Sequence, residues 1–196
     1  MRDLETERTI IRKFRIEDAE DIYNNIANIK KLEDCYNYNM HKNVEETRII
    51  VASSIKEYEL GEPVWAIEEK ESGIVVGYIR TDEMSTKNKV CKLNFGIGMK
   101  WTEKGLLEEA LMEVINYLVY EEDFNTIVSK FYDGHDLIKK VKTRVLKNIG
   151  MKQEATLRNR KINDKTGVSE NLLIFSILKE EIEQRKNKEE IHVKAS

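Results

Sequence analysis

Apolar residues recur along this chain at two periods, and the order in which the periods alternate predicts the fold. "RTIIRKF" (8–14) reads as a short strand, and residues 16–27 follow with Ile16, Ala19, Ile22, Tyr23 and Ile26 on one helical face. The stretch after it, "NIKKLEDCYNYNMHKN", is polar and irregular. Asn43 and Glu46 form an N-cap pair for a second helix through about Tyr58, which Gly61 and Pro63 stop. "VWAIEEK" and "GIVVGYIRTDE" flank the "ESG" turn as a hairpin, and "KVCKLNFGIGM" (89–99) supplies a third strand to the meander.

A second helical run starts after Gly105, with Leu107, Ala110, Leu111, Val114, Ile115 and Leu118 on one face. "NTIVSKFY" (125–132) is a strand. Residues 137–149 carry Ile138, Val141, Val145 and Ile149 at helical spacing, with Gly150 as the stop. Two further strands, 151–162 and 169–178, surround the turn "NDKTG". The end is dense in charge and is expected to be a frayed helix or an unstructured tail. The sum is an α/β (α+β) chain in the order β-α-α-β-β-β-α-β-α-β-β: one domain over 1–182, then a charged tail over 183–196.

Composition narrows the classes. At 40% apolar and 35% charged the chain has the balance of a soluble protein, and its apolar runs fall far short of a bilayer span. A formal charge of −3 argues against a nucleic-acid footprint. The N-terminus lacks the apolar core of a signal peptide, so a cytoplasmic location is expected and no membrane partner. Cys35 and Cys91 read as reduced structural thiols, and with three scattered histidines they make no metal site.

The stretch "WTEKGLLEEAL" (101–111) carries the one chemical signal of this order. Gly105 falls at a helix start, where backbone N–H groups are unpaired and the helix dipole is positive, so an anion can bind there. On these residues alone, a helix that happens to begin after a glycine is the other reading.

Five phrases in sequence order resemble the GNAT acetyltransferases (GCN5-related N-acetyltransferases), in the branch of the ribosomal-protein N-terminal acetyltransferases. They are "LETERTIIRKFRIEDAEDIY", "WAIEEKESGIVVGYIR", "NFGIGMKWTEKGLLEEAL", "TRVLKNIGMKQEATLRN" and "LLIFSILKEE", spanning about Leu4 to Glu181. The resemblance implies a mixed, mostly antiparallel sheet of about seven strands flanked by about four helices. It implies acetyl-CoA as the cofactor, with pantetheine along Phe95, Gly96 and Ile97 and the pyrophosphate on the turn Thr102, Glu103, Lys104, Gly105, Leu106 and Leu107.

The chain departs from the family pattern at several of these positions. Of the usual pyrophosphate motif only the central glycine is kept, Leu107 is bulky where a small residue is usual, and Glu103 adds a negative charge that Lys104 is expected to offset. In the late helix the usual Asn and Ser fall on Lys139 and Lys142, the tyrosine that protonates the leaving thiolate falls on Leu146, and a strand glutamate falls on Lys92. The alternative to an enzyme is therefore a GNAT-fold binding or regulatory protein with eroded catalysis. The catalytic residues remain unassigned, with Tyr36, Tyr38 and Tyr132 as candidates and Asp34 beside the first two; the hairpin residues Arg158, Arg160 and Lys161 would attract an acidic acceptor.

The expected reaction is direct attack of a primary amine, from a protein N-terminus or a small molecule, on the thioester within a ternary complex. Freeing a lysine amine at pH 7 costs about 4.6 kcal/mol, against about 1 for an α-amine. With no evident base, an α-amine is the easier acceptor. The protein is expected as a monomer or homodimer.

Overall fold

The computed structural model describes residues 2–27, 41–164 and 166–194, with side chains through 187. Its strands are β1 (Leu4–Glu5), β2 (Thr9–Lys13), β3 (Val64–Glu69), β4 (Ile74–Ser85), β5 (Val90–Ile97), β6 (Thr126–Tyr132), β7 (Lys152–Ile162) and β8 (Ser169–Leu178). The helices are α1 (Asp18–Ile22), α2 (Val44–Glu59), α3 (Leu106–Tyr120), α4 (Asp136–Asn148) and α5 (Lys179–Lys194). All strands join one sheet in the order β1-β2-β3-β4-β5-β6-β8-β7. Every neighbouring pair is antiparallel except β5 and β6, which the crossover helix α3 connects in parallel.

Alternation along the strands builds a core on each face of the sheet. In β3, Trp65 and Ile67 join the larger cluster with α3 and α4, whereas Val64 and Ala66 join a smaller one with Ala19, Ile22 and Val51 of α1 and α2. α3 buries Leu107, Ala110, Leu111, Val114, Ile115 and Leu118, the face read from the sequence. α2 is capped as expected, with Asn43 Oδ1 accepting from the Glu46 N–H at 3.0 Å.

Two elements differ from the sequence reading. β1 is an eighth strand, too short to show a period, yet its Leu4 is buried against Ile11 of β2. The charged end is a continuous helix, α5, rather than a frayed one. Ile182 is 2% exposed in the core, and the Arg185 guanidinium donates to the Ile149 carbonyl at 2.8 Å, tying α5 to the end of α4. The helix beginning at Asp18 relaxes into a π turn over Tyr23–Ala27. Among the described residues, no helix is long and apolar enough to cross a membrane and no cluster of three His, Cys, Asp or Glu side chains is placed to hold a metal. Cys91 is buried, and burial, with the Asp82 charge, pushes its thiol up to about 12, fitting an inert structural role; Cys35 lies outside the described residues.

The first turn of α1 is fixed by a buried ion pair. The Arg12 guanidinium of β2 meets the Asp18 carboxylate with two bonds, 2.8 and 2.9 Å, and donates to Glu68 at 2.7 Å. Asp18 also accepts the Arg15 N–H at 2.7 Å. Because both partners are buried, Asp18→Ala leaves Arg12 with Glu68 alone and the Arg15 N–H without its acceptor, and we expect a loss of about 3 kcal/mol in urea unfolding.

Candidate active site

β5 and β6 run side by side for only three registered residues, Val90–Lys92 against Thr126–Val128. β5 continues to Ile97, still paired with β4, so from Leu93 onward its other edge has no registered strand among the described residues. The edge is oriented for pairing. The Phe95 N–H donates to Asn94 Oδ1 at 2.9 Å and so points away from β4; by the two-residue alternation the Ile97 N–H faces the same gap. The gap opens into a narrow cleft between β5, the turn before α3, and α4, lined by Phe95, Gly96, Ile97, Met99, Thr102 and Leu107 on one side and Leu137, Ile138, Val141 and Lys142 on the other.

The turn at the mouth of the cleft is wound by local bonds, Trp101 N–H to Gly98 O at 2.9 Å and Lys104 N–H to Trp101 O at 3.1 Å. Gly105 then adopts φ +75°, a left-handed conformation that favours glycine, and caps α3. The first intrahelical bond runs from Glu109 N–H to Gly105 O. The N–H groups of Gly105, Leu106 and Leu107 donate to none of the described residues. This is the arrangement that binds an anion at a helix start.

Two arginines grip the carbonyls of the same turn. Arg8 Nη1 donates to Lys104 O at 2.9 Å while its Nε binds Glu109 at 2.7 Å, and Arg144 of α4 donates to Thr102 O and lies 3.8 Å from Glu103. Their guanidinium groups bring positive charge to the mouth of the cleft and neutralise the nearby carboxylates. Lys104 does not perform this function. Its ammonium is 2.9 Å from Glu69, whose other oxygen accepts Trp101 Nε1–H at 3.1 Å, so Lys104 locks the turn to the β3–β4 hairpin instead. Burial works to raise the Glu69 carboxyl, and the hydrogen bonds from Lys104, Trp101 and Ser72 outweigh it and hold it below the usual range.

Lys142 is the unexpected member. It is 7% exposed, its ammonium 3.4 Å from Asn94 Oδ1 and over the rings of Phe95 and Phe131 at 5.2 and 5.8 Å. Asn94 and Phe95 are consecutive and so point to opposite faces of β5. A group touching both lies at the strand's edge, in the gap itself. Burial pushes the Lys142 amine down to about 8.

The structure thus brings Phe95, Gly96, Ile97, Thr102 and Leu107 to the cleft wall and Glu103, Lys104, Gly105 and Leu106 to the turn at its mouth. Leu107 is 3% exposed and packs in the core beneath the turn. Tyr132 is 40% exposed beneath Lys161, with the ammonium 5.4 Å from its ring, and is not among the residues lining the cleft. Tyr36, Tyr38 and Asp34 lie outside the described residues. Arg8, Arg144 and Asn94 carry no sequence signal of their role. Lys142 does carry one, because it stands four residues after Ile138 on the apolar face of α4.

The residues matched by the family model "Acetyltransferase (GNAT) domain" are 8–152, about three quarters of the chain. The chain belongs to that family. Among solved structures, a GNAT-family acetyltransferase from Bacillus anthracis is similar over 91% of this chain and 99% of its own, at 20% identity and a TM-score of 0.73. A ribosomal-protein-S5-alanine acetyltransferase from Vibrio fischeri is similar over 90% and 96%, at 13% identity and a TM-score of 0.73. RimL, a ribosomal L7/L12 alpha-N-protein acetyltransferase solved with coenzyme A, is similar over 90% and 97%, at 13% identity and a TM-score of 0.76. These similarities show the GNAT fold. No curated protein matches the chain at a significant level.

The Lys142 amine titrates lower in the folded GNAT domain than in the unfolded chain, so protonated Lys142 opposes folding. Lys142→Met is therefore expected to raise stability by roughly 3 kcal/mol at pH 7. The gain is full below about 8, shrinks as pH rises and vanishes above 10.5, where the amine is neutral in both states. Urea unfolding of both proteins across that range checks it.

Proposed function

We propose that this protein is an acetyl-CoA-dependent N-acetyltransferase of the ribosomal-protein acetyltransferase type, acting on a primary amine, a protein N-terminus or a small amine, by direct attack in a ternary complex. The observation that carries the reading is the alignment of two features: three N–H groups at the start of α3 that donate to none of the described residues, and the edge of β5, unpaired among the described residues, that leads from them into the cleft. Diphosphate fits the first and a chain of secondary amides fits the second, which is the chemistry of coenzyme A. The family membership and the coenzyme A bound to RimL support the same assignment.

On this reading Gly105, Leu106 and Leu107 hold the pyrophosphate through their amides, with Arg8 and Arg144 supplying positive charge behind the turn. Thr102, Glu103 and Lys104 shape the turn, and Phe95, Gly96 and Ile97 form the pantetheine edge. Each amide on an ionised phosphate contributes roughly 1.5–3 kcal/mol, so three of them and the strand pairing suffice for micromolar binding after association costs. The Ile97 N–H faces the gap and is the donor best placed to polarise a thioester carbonyl, since Asn94 engages the Phe95 N–H. An α-amine is the favoured acceptor because freeing it of its proton at pH 7 costs only about 1 kcal/mol, against about 4.6 for a lysine amine.

A second reading, a GNAT-fold binding protein without turnover, is favoured by one contact: Asn94 occupies the Phe95 N–H that a pantetheine amide would use. The two readings separate in one experiment. Calorimetric titration with acetyl-CoA is expected to give a micromolar Kd, and incubation with a panel of peptides bearing free N-termini to release thiol. Binding without thiol release favours the second reading, and no heat at millimolar acetyl-CoA removes both.

The anion site has its own variant. A side chain at Gly105 must adopt φ +75°, and its Cβ would come within 3.5 Å of the Arg8 guanidinium. Gly105→Glu adds backbone strain and a negative charge where the diphosphate is held, and its acetyl-CoA titration is expected to show no binding.

A further inference from the structure

By the family resemblance the tyrosine that protonates the leaving thiolate falls on Leu146, which is fully buried, and an ammonium reaches the gap one helical turn earlier. Lys142 enters from α4, crosses between Phe95 and Phe131, and ends against Asn94 at the edge of β5. We propose that the Lys142 ammonium is the acid of the reaction, delivering its proton to the departing coenzyme A thiolate. This rests on the acetyl-CoA reading above, and it assigns that reading its missing catalytic residue.

The geometry gives three reasons. The ammonium lies just past the last registered pair, Lys92 with Val128, where the strands part and the reactive end of a chain entering from the Gly105 turn arrives. Aromatic faces surround it, so its charge acts there with little water to screen it. Asn94 Oδ1 accepts from both Lys142 Nζ and the Phe95 N–H, which fixes the ammonium beside the strand donors that would hold the acyl group. Charged side chains on the elements around it are committed to other pairs: Lys92 and Lys130 to Glu83, Lys139 to Asp133, and Arg144 to Glu103.

The step balances. The acceptor amine forms the new C–N bond as the C–S bond breaks; the sulfur takes the electron pair of that bond and the Lys142 proton. The proton lost by the acceptor nitrogen returns through solvent to the Lys142 amine. With its amine at about 8 and a free thiol near 8.5, transfer is close to thermoneutral, the condition in which general acids work best.

The test needs no acceptor. Coenzyme A bound to the parent, to Lys142→Met and to Lys142→Arg is titrated from pH 5 to 10 while thiolate absorbance is followed, with affinity measured by calorimetry in parallel. An ammonium facing the sulfur is expected to lower the thiol's apparent pKa in the parent by at least about one unit, tenfold in acidity, relative to Lys142→Met, with Lys142→Arg retaining most of the shift. Equal thiol pKa values in complexes that all bind coenzyme A would overturn the acid role and leave the acetyl-CoA reading standing. No binding by the parent would overturn both. Acetylation of Lys142 itself, seen as one added acetyl group in the parent and absent from Lys142→Met, would also overturn the role, because an amide has no proton to give.

Discussion

Three parallel residue pairs hold the two halves of this sheet together, and the rest of the molecule is arranged around how soon they stop. A longer ladder between β5 and β6 would close the gap; a shorter one would leave β6 and its partners joined to the body by helices alone. The end of the ladder is reinforced on the exposed face, where Glu83 of β4 takes Lys92 of β5 and Lys130 of β6 at 2.7 and 3.2 Å, one carboxylate stitching three strands. The hydrogen bonds from both lysines hold the Glu83 carboxyl below its usual range. On the other face α3 and α4 fill the widening space with apolar side chains, and the single charged intrusion among them is Lys142.

The turn before α3 is assembled from parts far apart in sequence. Its amides belong to residues 105–107, but its carbonyls are held by Arg8 at the start of the chain and Arg144 in the late helix. The Lys104 carbonyl shares its peptide plane with the Gly105 N–H, so the bond from Arg8 keeps that plane from flipping. Gly105 contributes the backbone conformation, the arginines make it the resting one, and Glu69 pins the preceding residues through Trp101 and Lys104.

Periodicity made most of the fold legible. The buried faces of α3 and α4 and the alternation in β5 were plain because each of these elements keeps one period over many residues. β1 was hidden because a two-residue strand has no period, and the order of α5 was hidden because its anchors, Ile182 and Arg185, are two residues in a run of surface charge. The candidate site was legible only in part. Gly105 announced itself through chain conformation, and Phe95 to Ile97 through the family resemblance. Arg8, Asn94 and Arg144 were invisible because each acts through a contact with the backbone of the site, which no local pattern records. Lys142 was visible as a misplaced charge and unreadable as a function until its endpoint in the gap was known.

The strand order carries one consequence for where this protein can be divided. The family model ends at residue 152, yet β6 owes its outer edge to β8, paired from Thr126 with Leu178 to Tyr132 with Leu172. A chain ended at the family boundary would leave β6 with three parallel pairs on one side and bare N–H and C=O groups on the other. Such an edge is a template for pairing with a second copy. β8 thus shields the sheet's interior, and the unit recognised by similarity is smaller than the unit that covers both edges of β6.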